Sequence, residues 1–196
     1  MLKRVFDILF SFGGLIILSP VFLIIAVIIK SDSKGPVIYR QTRVGKDGKD
    51  FELYKFRSMK TESDKHGLLT VGGRDPRITG SGYILRKYKL DELPQLANVF
   101  KGDMSFVGPR PEVRRYTELY DENQKKVLSI RPGITDVASI KYRNENELLE
   151  KSSDPEKYYI EEIMSDKIRM NLDYMNDRSF LRDVKVIFRT FKAIFE

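Results

Sequence analysis

The chain of 196 residues has no cysteine and a single histidine, and these two scarcities remove several kinds of chemistry at once. Disulfides, thiolate nucleophiles and thiolate metal sites are excluded, and the lack of cysteine fits a reducing compartment. His66 lies in the polar run TESDKHGLL and reads as an exposed loop residue, which leaves a Ser-His-Asp machine without its base. There is no internal repeat and no low-complexity tract. Gly72, Gly73, Gly80 and Gly82 are scattered at spacings that fit no phosphate loop, and no nucleic-acid motif is present. One stretch lacks charge altogether: from Ile8 to Ile29 the sequence ILFSFGGLIILSPVFLIIAVII holds no Asp, Glu, Lys or Arg.

As a straight helix at about 1.5 Å per residue, that stretch could cross a hydrocarbon core, so a membrane element is expected. A cleaved signal peptide fits poorly, because the run is long and no small-x-small cleavage pattern follows it. Pro20 sits in the middle of the run, where it removes one helical N–H and crowds the preceding turn, so a kink is expected at Ser19-Pro20. The Ser19 hydroxyl can serve a carbonyl freed by that kink. Both flanks are cationic, with Lys3 and Arg4 before the run and Lys30, Lys34, Arg40 and Arg43 after it. A spanning helix is normally sorted by charge asymmetry, and here both ends look cytoplasmic. A re-entrant hairpin and a straight span both remain open on these residues alone.

Beyond Gly35-Pro36, VIYRQTRV and FELYKFRSM read as two strands joined by GKDGKD, a hairpin. A loop is expected from Thr61 to Gly82 and a helix from Gly82 to Tyr88. A second helix is expected from Asp91 to Phe100, with Asp91 as its cap and Leu93, Leu96, Ala97 and Phe100 at helical spacing. Further helices are expected over residues 112–129, over the mostly polar 152–175, and over 179–195. In the last, Phe180, Leu181, Val184, Ile187, Phe188, Phe191 and Phe195 oppose Arg182, Lys185, Arg189 and Lys192. That face can pack on the protein's own core or lie in a lipid interface.

The net charge of +7 points to an anionic partner without choosing among nucleic acid, acidic lipid and a phosphorylated substrate. Against that background Asp91 and Glu92 stand side by side in KLDELPQLANVFKGDMSFVGPRPE. They can simply begin a helix, Asp as cap and Glu near the positive end of the dipole. They can also share a hard cation such as Mg²⁺, which accepts one or two carboxylates plus phosphate oxygens. A carboxylate can itself take a phosphoryl group, and phosphoryl transfer needs cations on the non-bridging oxygens. Lys55, Arg57, Arg86, Arg110, Arg131 and Arg143 are the candidates, although any one of them taken alone reads first as a solvated surface charge. Arg110 is the best of them, because Pro109 and Pro111 fix the backbone around it.

Together these pieces resemble the bacterial sugar transferases, the monotopic phosphoglycosyl transferases, in their small form without additional amino-terminal membrane helices. KRVFDILFS with LSP is similar to the family's membrane helix, GPVIYRQTRVG and YKFRSM to its hairpin, LRKYKLDELPQLANVFKGDMSFVGPRP to its catalytic segment, and RPGIT to the signature that follows. The resemblance runs over nearly the whole chain. It implies an α+β, mostly helical fold, with a re-entrant membrane helix-hairpin over residues 1–34 broken at Ser19 and Pro20. A small cytosolic catalytic domain over 35–196 follows, with a short β-hairpin and interfacial amphipathic helices, held at the cytoplasmic face of a bacterial inner membrane. The implied reaction moves a sugar 1-phosphate from a UDP-sugar to a polyprenyl (undecaprenyl) phosphate, with Asp91 as nucleophile and Glu92 holding Mg²⁺. Lys55, Arg86 and Arg143 fall where the family places cations near the phosphates, and Pro109-Arg110-Pro111 matches a motif lining its active site. The assignment is compatible with a homodimer and involves no nucleic acid.

One departure stands out. After RPGIT many members continue with GWAQV or a close variant, whereas this chain reads DVASIKYRNENELL, which leaves the sugar undetermined. The rival reading, a membrane-anchored basic binding module without catalysis, predicts that both acids are dispensable. A glycosidase reading fails, since adjacent residues do not place carboxyl groups on either side of a sugar ring.

Overall fold

The computed structural model describes residues 2–63, 67, 69–72 and 75–195, with the side chain of Phe195 left out. His66 and Gly73 lie outside the described residues. The architecture is mostly helical with two small two-stranded sheets.

The apolar run forms two helices, α1 (Leu2–Ile17) and α2 (Ser19–Asp32), bent by 59° where they meet. Proline causes the bend in the expected way. The bond Pro20 cannot make would end on the Ile16 carbonyl, and the Ser19 hydroxyl donates to that oxygen instead, at 2.8 Å. Among the described residues no single helix is long and apolar enough to cross a membrane, although the bent pair is by length and composition. Leu9, Phe10, Ile16, Ile17, Leu23 and Ile24 on this pair are exposed, an apolar surface far larger than scattered surface leucines would give.

Both ends of the pair are tied to the rest of the chain. At the start, Lys3 Nζ donates to Val107 O at 2.8 Å, Arg4 donates to Val99 O and Phe100 O, and the buried Asp7 accepts from Ser105 Oγ and Phe106 N. At the finish, Ile25 and Ile29 bury against Phe56 and Leu85. Such side chains contribute about 1.5–3 kcal/mol each by leaving water.

The hairpin forms as the alternating apolar pattern predicts. Strands β1 (Ile38–Val44) and β2 (Asp50–Phe56) pair antiparallel, with Ile38 opposite Phe56 and Val44 opposite Asp50. The turn between them uses Asp47 and Gly48 with positive φ. Helix α3 (Gly80–Lys87) starts two residues earlier than expected, because Thr79 caps it by accepting from Gly82 N.

The acid pair corrects the sequence reading. Asp91 caps no helix; it lies with Glu92 in a 3₁₀ turn, Leu90–Glu92, entered through a left-handed Lys89 at φ 55°, and helix α4 begins only at Gln95 (Gln95–Lys101). Pro94, with no N–H to give, separates the turn from the helix. Two three-residue strands without any periodic signal were not expected: β3 (Ser105–Val107) and β4 (Gly133–Thr135), paired parallel.

The single helix expected over 112–129 is also corrected. It is α5 (Arg114–Thr117), then a 3₁₀ turn over Gln124–Ser129, separated where the Asp121 carboxylate accepts from Asn123 N and Gln124 N and so competes with the helix. Short helices α6 (Val137–Lys141) and α7 (Glu145–Glu150) follow, and the polar segment runs as α8 (Pro155–Tyr158), a π turn (Tyr159–Met164) and α9 (Ser165–Asn176). The last helix, α10 (Phe180–Phe195), packs one side on the protein's own core. Val186 packs with Val107 and Tyr174 in a core cluster, while Leu181, Phe188 and Phe191 face outward.

Candidate active site

Three elements converge on the acids. Strand β2 projects Lys55, the 3₁₀ turn holds Asp91 and Glu92, and the segment after β3 brings Arg110. Lys55 Nζ donates to Glu92 Oε1 at 3.1 Å, and the Arg110 guanidinium donates to Oε1 at 2.5 Å and to Oε2 at 3.3 Å. Glu92 is thus held in a fork by one cation and braced by a second.

The two carboxylates are neighbours in unlike surroundings. Burial would by itself raise the Glu92 carboxyl, but the charges of Arg110 and Lys55 and the Arg110 hydrogen bond outweigh it and hold the group well below the usual range. Asp91, 5% exposed, is pushed up, first by burial and then by the Glu92 charge, against the opposing pull of Lys55 and Arg86. Its Oδ1 is buried and has no hydrogen-bond partner. Burial lowers the Lys55 ammonium, opposed by Glu92, and the Glu92 charge raises Arg110.

The remaining cations are distributed more widely. Arg86, in the last turn of α3, donates to Thr70 Oγ1 at 3.1 Å, and its charge reaches Asp91. Arg57 is turned elsewhere. Its guanidinium is buried at the carbonyl end of the α2 helix, donating to Ser33 O at 2.7 Å and to Lys34 O at 2.5 Å, so its expected place on a phosphate gives way to a helix-capping one. Arg131 is exposed and donates to Gly102 O at 2.7 Å, past the end of α4 that lies away from the acids. Arg143 is exposed between α6 and α7 and donates to Ala193 O of α10.

Sequence reasoning missed the residues that hold Arg110 in place. Pro111 O accepts from Arg43, and Glu112 is gripped by Arg43 and Tyr159. Arg110 N donates to Asp136, a buried carboxylate that also caps α6. Asp136 ahead of VASIK carried a cap signal in the sequence; nothing there linked it to Arg110. Close backbone approach makes the rest of this segment. A Cβ on Gly133 would lie 2.2 Å from Gly108 N, and one on Gly108 would lie 2.4 Å from Arg131 O, so neither position tolerates a side chain.

Could this arrangement receive a divalent cation? A hard ion takes oxygen ligands, and two adjacent buried carboxylates, one with an unpartnered oxygen, are of the right kind. Among the described residues no group of three or more His, Cys, Asp or Glu could hold a metal, so such an ion would need oxygens from a phosphorylated ligand as well. The residues fit Mg²⁺ on those terms.

The model of the bacterial sugar transferase family matches residues 1–196. A UDP-glucose:undecaprenyl-phosphate glucose-1-phosphate transferase of Escherichia coli (strain K12) is 39% identical over 194 residues, covering 97% of this chain and 39% of the relative. A UDP-N-acetylgalactosamine-undecaprenyl-phosphate N-acetylgalactosaminephosphotransferase of Aeromonas hydrophila is 37% identical, covering 98% of this chain and 43% of the relative. The exopolysaccharide production protein PSS of Rhizobium leguminosarum bv. phaseoli is 40% identical, covering 96% of this chain and 92% of the relative. The chain thus spans less than half the length of the first two relatives and nearly all of the third. With its full length matched and its acid pair, hairpin and Pro-Arg-Pro segment gathered at one site, the chain belongs to the bacterial sugar transferase family.

Proposed function

We propose that this protein transfers a sugar 1-phosphate from a UDP-sugar to a polyprenyl phosphate of the undecaprenyl type, the first membrane step in building a polysaccharide. Relatives named for that reaction support the reading. The observation that carries it is the contrast within the acid pair: Glu92 is paired with Lys55 and Arg110, chiefly through Oε1, whereas Asp91 keeps a buried oxygen with no partner. An oxygen without a hydrogen bond is stripped of the solvation that would blunt a nucleophile.

In this mechanism an Asp91 oxygen attacks the β-phosphorus of the UDP-sugar. The bond from that phosphorus to the bridging oxygen breaks, and UMP leaves with the bridging oxygen, so the sugar phosphate is carried on Asp91. An oxygen of polyprenyl phosphate then attacks the same phosphorus, the aspartyl O–P bond breaks, and the carboxylate is regenerated beside a polyprenyl diphosphosugar. Lys55 and Arg110, with Arg86 nearby, supply positive charge for the phosphate oxygens. Mg²⁺, held by Glu92 and Asp91, would neutralise diphosphate charge and favour departure of UMP.

A polyprenyl phosphate keeps its head at the interface and its tail in lipid, so the acids belong at head-group depth. The bent α1–α2 pair suits that requirement as a re-entrant hairpin entering from the cytoplasmic face. Both of its ends are hydrogen-bonded to the same body, Lys3 and Arg4 at one end and Ser33 and Lys34 at the other, which supports re-entrance over a span. On this reading residues 1–34 are the membrane element and 35–196 the catalytic domain, with the outward Leu181, Phe188 and Phe191 of α10 resting in the interface.

The test is direct. Protein in nanodiscs is offered a panel of UDP-sugars with Mg²⁺ and polyprenyl phosphate, and UMP release is followed. Release with at least one donor, abolished by Asp91→Asn, is expected; no UMP from any donor, or full activity in the Asp91→Asn variant, overturns the proposal.

A further inference from the structure

In Pro109-Arg110-Pro111 only one backbone N–H exists, because neither proline has one. That donor, Arg110 N, is given to Asp136 Oδ2 at 2.9 Å. The same carboxylate oxygen accepts from Asn171 Nδ2 of α9 at 3.0 Å, and the other accepts from Ser139 N in the first turn of α6. Three separate segments therefore meet on one buried carboxylate, 1% exposed. Asn171 gives its amide N–H to this junction and keeps its own Oδ1 buried without a partner, so the junction holds at some expense. At the other end of Arg110, the guanidinium forks onto Glu92.

We propose that Asp136, steadied by Asn171, is a positioning residue of this chain: it fixes the backbone of Arg110 and so the reach of its guanidinium to Glu92. The inference rests on the transferase reading for its catalytic consequence and on the hydrogen bonds for its structural one. Neutral Asn at 136 offers a single acceptor oxygen to donors from three segments and turns N–H groups toward one of them. Misplacement of a site group by about 1 Å can cost up to a hundredfold in rate.

Two measurements decide it. The first is a cycle of Asp136→Asn, Arg110→Gln and the double variant, assayed by UMP release in nanodiscs with UDP-sugar, Mg²⁺ and polyprenyl phosphate, together with melting temperatures. Asp136→Asn is expected to lower kcat/KM about tenfold or more in the parent and less than about twofold on top of Arg110→Gln, while its effect on melting is the same in both backgrounds. Equal activity losses in both backgrounds, or parent-like kcat/KM in Asp136→Asn, overturn the inference. If Asp136→Asn fails to fold, Asn171→Leu replaces it in the cycle, with an expected loss of about threefold in the parent and none on Arg110→Gln; equal losses again overturn the inference. The second measurement needs no turnover: the side-chain Nε–Hε NMR signal of Arg110, assigned by its loss in Arg110→Gln, is expected to shift in the variant at 136 or 171. An unmoved signal refutes the positioning role. UMP silence in the parent protein with a shifted signal would instead fault the transferase reading alone.

Discussion

Asp91 and Glu92 are adjacent in sequence and opposite in what their charges do for the fold, and replacing each by its amide separates the two roles. Glu92 neutralises Lys55 and Arg110 across distances of 3.1 and 2.5 Å. Removing its charge leaves two cations facing a neutral amide, and breaking a buried pair in this way costs about 3–5 kcal/mol. Because the Arg110 side chain is 33% exposed, solvent takes up part of that loss and the lower figure, about 3 kcal/mol, applies. Asp91 has the reverse balance. A carboxyl held above its ordinary value disfavours the folded state wherever it is ionised, and Asp91 has an unpartnered buried oxygen besides. Relieving it by Asn recovers about 1–2 kcal/mol. For a chain of this size each kcal/mol moves the midpoint by roughly 2–4 °C. Thermal unfolding in the same detergent, with EDTA present, should then show Glu92→Gln lower by about 6–12 °C and Asp91→Asn higher by about 2–8 °C. Both variants are expected to lose UMP release. Should Asp91→Asn melt as low as Glu92→Gln, the two carboxylates would share one environment and the assignment of nucleophile and anchor would collapse.

Four further outcomes are expected. Arg57→Ala, by stripping the α2 carbonyl end of its donors, should lower stability by about 2–4 kcal/mol, and Arg57→Lys should rescue little, since one ammonium cannot reproduce the fork; a denaturant series reads both. Gly133→Ala should yield insoluble protein, because its methyl would meet Gly108 backbone at 2.2 Å, and expression in the soluble membrane-extract fraction checks it. The natural chain has no cysteine, so Lys3→Cys and Lys34→Cys can be labelled without background; both should react from the same side of sealed vesicles, and labelling from opposite faces would establish a span. EDTA should halt UMP release and Mg²⁺ restore it, with Glu92→Gln needing more Mg²⁺ than the parent if any activity survives.

Local chemistry was written plainly in the sequence. An uncharged run interrupted by Ser19-Pro20 specifies a bent apolar helix pair, since proline's missing N–H acts on its own preceding turn wherever the helix lies. Alternating residues around GKDGKD specify the hairpin for the same reason: neighbours along the chain settle it. Asp91 and Glu92 could be picked out, as could Arg110 between its prolines. Which cations joined them was decided only in three dimensions. Lys55 on β2 and Arg57 just past its end are two residues apart, yet Arg57 closes a helix end and Lys55 braces Glu92. Arg131 and Asp136 flank the three-residue strand Gly133–Thr135, whose parallel partner lies 28 residues earlier, and only that long-range pairing carries Asp136 to Arg110 N. Periodicity cannot announce a contact whose two halves have no pattern of their own, and a carboxylate's role depends on which donors the packed chain brings to it.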